Sequence, residues 1–197
     1  SGTVTGLAVG GLPDGTVDDG TVASGIASSK LTGALPAIDG SSLTGNVGKL
    51  IQTVNYQTGA YASTTSTIPG DDTIPQITEG FEVMTLAITP LSATSNLFIE
   101  VNTQTSSSIA NGVLSSLFVG TTANALAISY NYGDSEANSR AFSSFNHTVV
   151  AGVTSALTFR VRIGGTSAAT VYFNGYVGSR FYGGVAASSI TITEYEV

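Results

Sequence analysis

The chain has 197 residues, 42% of them hydrophobic and only 10% charged, with a formal net charge of −7. Its six basic residues (Lys30, Lys49, Arg140, Arg160, Arg162 and Arg180) are scattered rather than clustered, which excludes the cationic footprint that a nucleic acid needs. Cysteine is absent, which removes disulfides and thiolate metal sites, and no apolar run approaches the ~18 residues of a membrane span.

In chain order, residues 1–47 come first and read as "GLPDGTVDDGTVASGIASSKLTGALPAIDGSSLTG" and its flanks: small apolar residues divided by turn formers, without aromatics. "DGTV" occurs at Asp14 and again at Asp19, and "LTG" at Leu31 and Leu43, at irregular spacing. Such a segment buries too little apolar surface to offset its own ordering entropy. Two readings are open, a linker or an extended arm ordered against other chains. Leu7, Leu12, Leu31, Leu35, Ile38 and Leu43 exceed what a linker carries and favour the arm, with Leu31, Leu35, Ile38 and Leu43 as its expected assembly contacts.

From residue 48 to 197 the grammar changes. "LIQTVNY", "FEVMTLAI", "NLFIEVNT", "VLSSLFV", "NALAISYNY", "SALTFRVRI", "TVYFNGYV" and "SITITEYEV" are rich in β-branched and aromatic residues and bounded by Gly, Asn, Ser and Pro. In "LTFRVRI" Leu157, Phe159, Val161 and Ile163 share one face, and Thr158, Arg160 and Arg162 the other. No window carries a 3.6-residue apolar repeat. The expectation is all-β, an antiparallel β-sandwich of jelly-roll type with about eight to ten strands, preceded by the extended Gly-rich arm. Tyr61–Gly80, "YASTTSTIPGDDTIPQITEG", is too long for a hairpin, and its Ile68, Ile74 and Ile77 are expected to pack on the sheet or on a neighbouring subunit.

Catalytic constellations are scarce. His147 is the one histidine, so a Ser-His-Asp hydrolase would have to use it, and Ser135 in "GDSE" lacks the strand-to-helix setting of a nucleophile. Glu194 and Glu196 lie two apart on a strand and read as a solvated face rather than a glycosidase pair. Asp71 and Asp72 are weak candidates for a calcium site, and "GDDT" is better read as a turn whose Asp caps backbone N–H groups. No enzyme, resident metal or cofactor is expected. Binding fits better: Tyr130, Asn131 and Tyr132 combine aromatic area with adaptable amides, and Phe181 and Tyr182 beside Arg180 form a second candidate.

"LPAIDGSSLTG", the run from Ile68 to Val101 and the closing "VYFNGYVGSRFYGGVAASSITITEYEV" resemble phrases of bacteriophage tail-fibre and virion appendage proteins. The resemblance implies a homotrimeric structural protein on the virion exterior. Its N-terminal arm would attach to other virion proteins, and its C-terminal β-knob would meet a host-surface glycan or protein. A capsid decoration or head-fibre protein is the alternative it leaves open.

Overall fold

The computed structural model describes residues 49–132 and 136–196. The expectations placed on the arm, on Leu31, Leu35, Ile38 and Leu43, and on Ser135 lie outside the described residues. The strands are β1 (Leu50–Thr58), β2 (Ala62–Thr64), β3 (Phe81–Ile88), β4 (Asn96–Ser107), β5 (Gly112–Val119), β6 (Ala127–Tyr132), β7 (Arg140–Val150), β8 (Leu157–Gly165), β9 (Val171–Phe173), β10 (Gly175–Tyr176), β11 (Ser179–Arg180) and β12 (Ser188–Tyr195).

The main strands pair antiparallel in two sheets. Sheet A runs β1–β12–β4–β7, with β9 and β2 continuing beside the far end of β4; sheet B runs β3–β8–β5–β6. Two four-stranded sheets in this interleaved order are the jelly roll, and the expected all-β antiparallel sandwich is the observed fold. The hairpin β10–β11 stands apart as a two-stranded ribbon.

Alternation decides the faces. On β8, Phe159, Val161 and Ile163 point inward and are fully buried, while Thr158, Arg160 and Arg162 point out. They meet Leu97, Ile99 and Val101 of β4, Leu117 of β5, and Ile190 and Ile192 of β12, all at 0% exposure. Each such side chain contributes ~2 kcal/mol of burial. Beyond Val101 the interior turns polar: Thr103 and Ser115 share a 2.8 Å hydroxyl–hydroxyl bond between the sheets.

β7 is the strand the sequence patterns do not announce. Its inward positions are Ala141, Ser143, Phe145, His147 and Val149, and its outward positions include exposed Phe142 and Val150. Apolar residues on both faces, with small or polar Ala141, Ser143 and His147 among the inward ones, erase the two-residue signal that marks the other strands. Pairing with β4 over eleven positions holds it in place instead.

Two nodes of buried polar groups complete the frame. Asn174, fully buried at a left-handed φ of 53°, fills the point where β12 parts from β4 and β9 takes over. Its Nδ2 donates to the carbonyls of Thr58 (2.8 Å) and Ala60 (3.2 Å), and its Oδ1 accepts from the Ser188 hydroxyl (2.6 Å). That hydroxyl in turn accepts from the Gln104 N–H.

The second node corrects an expectation. Glu194 is not on a solvated face: it continues the inward row of Ile190 and Ile192 and is 0% exposed, whereas Glu196 is exposed. The Glu194 carboxylate accepts from Leu91 N–H (3.0 Å), Ser92 N–H (3.2 Å) and the Gln52 amide on the neighbouring strand. It thereby pins the turn between β3 and β4. Burial, the largest influence, pushes its acidity toward the neutral form; the Gln52 amide, Leu91 N–H, Ser95 hydroxyl and Ser92 N–H together prevail and hold the carboxyl below the ordinary glutamate value.

Candidate functional site

On the outer face of sheet B the outward residues of β5 and β6 include Leu114, Ser116, Phe118, Ile128, Tyr130 and Tyr132. After β2 the segment 61–80 leaves sheet A, and its residues 67–80 fold across this face. Ile68 is fully buried, its N–H donating to the Gly165 carbonyl at 3.0 Å, and Gly164 gives it room: a Cβ there would lie 2.8 Å from the Ile68 side chain. At the other end Arg162 donates to the carbonyls of Glu79 (2.8 Å) and Gly80 (2.9 Å), and Arg160 pairs with Glu82 at 3.0 Å. The middle of the segment is tied to the turn after β5 by Ile77 N–H to Ala123 O and Ala125 N–H to Pro75 O.

Between this strap and the strands lies a groove of about 460 Å³, lined by Pro69, Gly70, Asp71, Thr73, Pro75, Leu114, Ile128, Tyr130 and Thr166. Leu114 forms the buried floor; Ile128 and Tyr130 are 40% and 55% exposed. The Tyr130 ring lies on the backbone of Gly112, where any Cβ would come within 2.4 Å of it, so the absence of a side chain there sets the height of the ring. Asp71 closes an Asx turn by accepting from both the hydroxyl and the N–H of Thr73, and these two bonds hold its carboxyl below the ordinary aspartate value. Arginine 162 is the clamp of the strap, so Arg162→Ala is expected to lower stability by about 1–2 kcal/mol. It should also speed limited proteolysis within Pro69–Ile77; an unchanged cleavage pattern would show that the strap is held elsewhere.

The structure separates residues that the sequence placed together. Tyr130 and Tyr132 share the outer face with ring centroids 6.3 Å apart. Asn131 between them points inward, and its Nδ2 donates to the Phe142 carbonyl at 2.9 Å, joining β6 to β7 across the open side of the sandwich. Phe181 is 4% exposed and packs against Tyr176 and the Arg140 guanidinium, so it is a core residue of the hairpin end rather than a contact surface. Tyr182 is 69% exposed and its hydroxyl accepts from Arg140 at 2.7 Å. Among Ile68, Ile74 and Ile77, the first is buried in its own chain, the second is 55% exposed and the third half-buried.

Asp71 is committed to its turn and Asp72 is exposed; among the described residues no three His, Cys, Asp or Glu side chains gather as a metal site. His147 sits on the inward side of β7 opposite Ile99. Leu114, Ile128, Thr166 and the strap prolines were not singled out as site residues by sequence reasoning. The available signal was the position of Ile128 two residues before Tyr130, which puts both on one face of a strand.

A family model for the Pgp3 C-terminal domain matches residues 65–197, about two-thirds of the chain and most of both sheets. The chain belongs to the Pgp3 C-terminal domain family. This membership overturns the resemblance to bacteriophage tail fibres and virion appendages, and with it the virion localisation and the capsid-decoration alternative. No curated protein matches the chain. Among solved structures, a TNF protein (Eiger) of S. frugiperda aligns at 11% identity and TM-score 0.37, over 72% of this chain and 92% of that one. The infectious bursal disease virus Gx strain aligns at 16% and 0.33, over 75% of this chain and 37% of that one. The VP2 subviral particle of the same virus aligns at 11% and 0.32, over 75% and 39%. These overlaps are too loose to carry function. The groove's lining residues, from Pro69 to Thr166, fall wholly inside the residues matched to the Pgp3 C-terminal domain.

Proposed function

We propose that this chain is a non-enzymatic structural domain of virulence type that assembles as a homotrimer and acts by binding a partner outside the assembly. Membership in the Pgp3 C-terminal domain family supports the virulence reading. The observation that carries the assembly reading is the outer face of sheet A. Along β4 from Asn96 to Gln104 its outward side chains are Asn96, Phe98, Glu100, Asn102 and Gln104, with Thr191 and Thr193 beside them on β12 and Phe142 and Val150 on β7. Glu100 is the one charge on that stretch of the face, and Phe142 and Val150 are 58% and 56% exposed. Depletion of charge at the centre with exposed aromatic area is the composition of subunit interfaces.

The binding reading, rather than catalysis, is supported by the commitments of the titratable groups. Glu194 has its oxygens filled by N–H donors and is sealed from solvent, and the Asp71 carboxylate serves a turn. Native mass measurement of the purified chain at micromolar concentration is expected to give three copies. The double change Asn146→Arg and Thr191→Arg, which flanks Glu100 on both sides, should yield a folded monomer. A wild-type monomer or dimer, or a trimer indifferent to both arginines, would refute this assembly.

A further inference from the structure

The groove on sheet B has a chemical bias that its shape alone does not reveal. Its polar wall consists of acceptors. The Thr73 hydroxyl spends its proton on Asp71, and the Thr166 hydroxyl spends its proton on Asn111 Oδ1 at 2.7 Å. Each therefore faces the groove with lone pairs. Asp71 is held ionised by its turn and accepts through Oδ1, leaving Oδ2 without a donor among the described residues. The same groove is lined by the Tyr130 ring, half-exposed and lying over Gly112, with Leu114 and Ile128 as apolar lining. Among the described residues no cationic side chain lines the groove, and Asp72 adds a second exposed carboxylate beside it.

A ligand complementary to this arrangement is rich in hydroxyl donors, carries one apolar ring face and bears no negative charge. Pyranose rings have all three properties. Their axial C–H faces stack on an aromatic ring whose face is electron-rich, and their hydroxyls donate to carboxylate and hydroxyl oxygens in charge-assisted bonds. Sialylated, uronic or sulfated sugars would meet the Asp71–Asp72 pair with no cation to offset it. The volume of about 460 Å³ suits a short oligosaccharide. We infer that the groove between the Pro69–Pro75 strap and β5–β6 is a binding site for neutral glycans, with Tyr130 as the stacking platform and Asp71 as the principal acceptor. The inference rests on the reading of the domain as a binding module and names the partner of one of its surfaces.

The test uses the full chain on an array of neutral oligosaccharides built from glucose, galactose, mannose and N-acetylglucosamine. Sialylated and sulfated counterparts and a lysine-rich amphipathic peptide are carried alongside. Binding is expected to neutral members, confirmed in solution by saturation-transfer NMR. Tyr130→Ala should weaken it at least tenfold, Tyr130→Phe should retain most of it, and Asp71→Asn should cost several-fold. Val153→Ser, on an exposed loop away from the groove, should change nothing. Circular dichroism and native mass of each variant separate loss of fold from loss of site. Preference for acidic glycans, binding of the peptide alone, silence on every neutral sugar, or sugar binding that survives Tyr130→Ala would each overturn the assignment. Those results leave the assembly reading standing, since that reading fails on the mass measurement and not on the array.

Discussion

Replacing Glu194 by alanine is expected to destabilise the domain by about 3–4 kcal/mol, the range for breaking a buried, fully bonded charge. The corresponding fall in Tm is roughly 10 °C for a domain of this size. The loss has two sources. The N–H groups of Leu91 and Ser92 and the amide of Gln52 lose the buried carboxylate that accepts from them, and a donor left without a partner costs about 1–3 kcal/mol before relaxation and rehydration. The turn between β3 and β4 then has no anchor to β12. Glu194→Gln should recover only part of the stability, because its amide N–H₂ turns one acceptor into a donor facing other donors.

The same residue gives the fold a pH dependence with a definite sign. Its folded pKa lies below the unfolded one, so its contribution is complete above the ordinary glutamate value and is lost as pH falls through the folded value. Urea titrations at a series of pH values should show a plateau from neutrality down to that ordinary value and a decline beneath it. In Glu194→Ala that component of the decline should vanish. An alanine variant within 1 kcal/mol of the parent, or an unaltered acid limb, would mean the turn is held without the carboxylate.

Asn174→Ala is the second large effect, at about 3 kcal/mol. Three side-chain bonds disappear, to Thr58, Ala60 and Ser188, and a Cβ without a polar partner is left at φ 53°, where alanine costs about 1 kcal/mol more than asparagine or glycine. Asn174→Gly separates the two terms. It relieves the backbone while deleting the bonds, so it should stand between alanine and wild type by denaturant midpoint. If glycine proved as stable as asparagine, the hydrogen bonds at the parting of β12 and β9 would be incidental.

The tail-fibre resemblance failed for a physical reason. The phrases that carried it are short runs of Gly, Ser, Thr and Ile with Asp-Gly turns, which any chain of short strands and tight turns needs. Such runs report a class of architecture and not a lineage. The fold class they implied survived for the same reason.

What the amino-acid order determined by itself is local. The period of two set the strands and their two-sidedness, as in β8, where four apolar residues and three polar ones fall on opposite faces. The turn chemistry of Asp71 was likewise legible and came out as read. What only the tertiary structure decided is which face of each strand meets another layer. Period two groups Glu194 with Ile190 and Ile192, yet nothing local says that a turn 102 and 103 residues earlier will supply the N–H groups that make its burial tolerable. It groups Tyr130 with Ile128, yet only the strap held by Ile68 and Arg162 turns that face into a groove. It leaves β7 unreadable, because an edge strand with Ala141, Ser143 and His147 among its inward positions and Phe142 and Val150 outside is stabilised by its partner β4 rather than by its own apolar pattern. Local sequence fixes dihedral preference and sidedness through short-range sterics, whereas burial and hydrogen-bond satisfaction depend on groups far away in the chain.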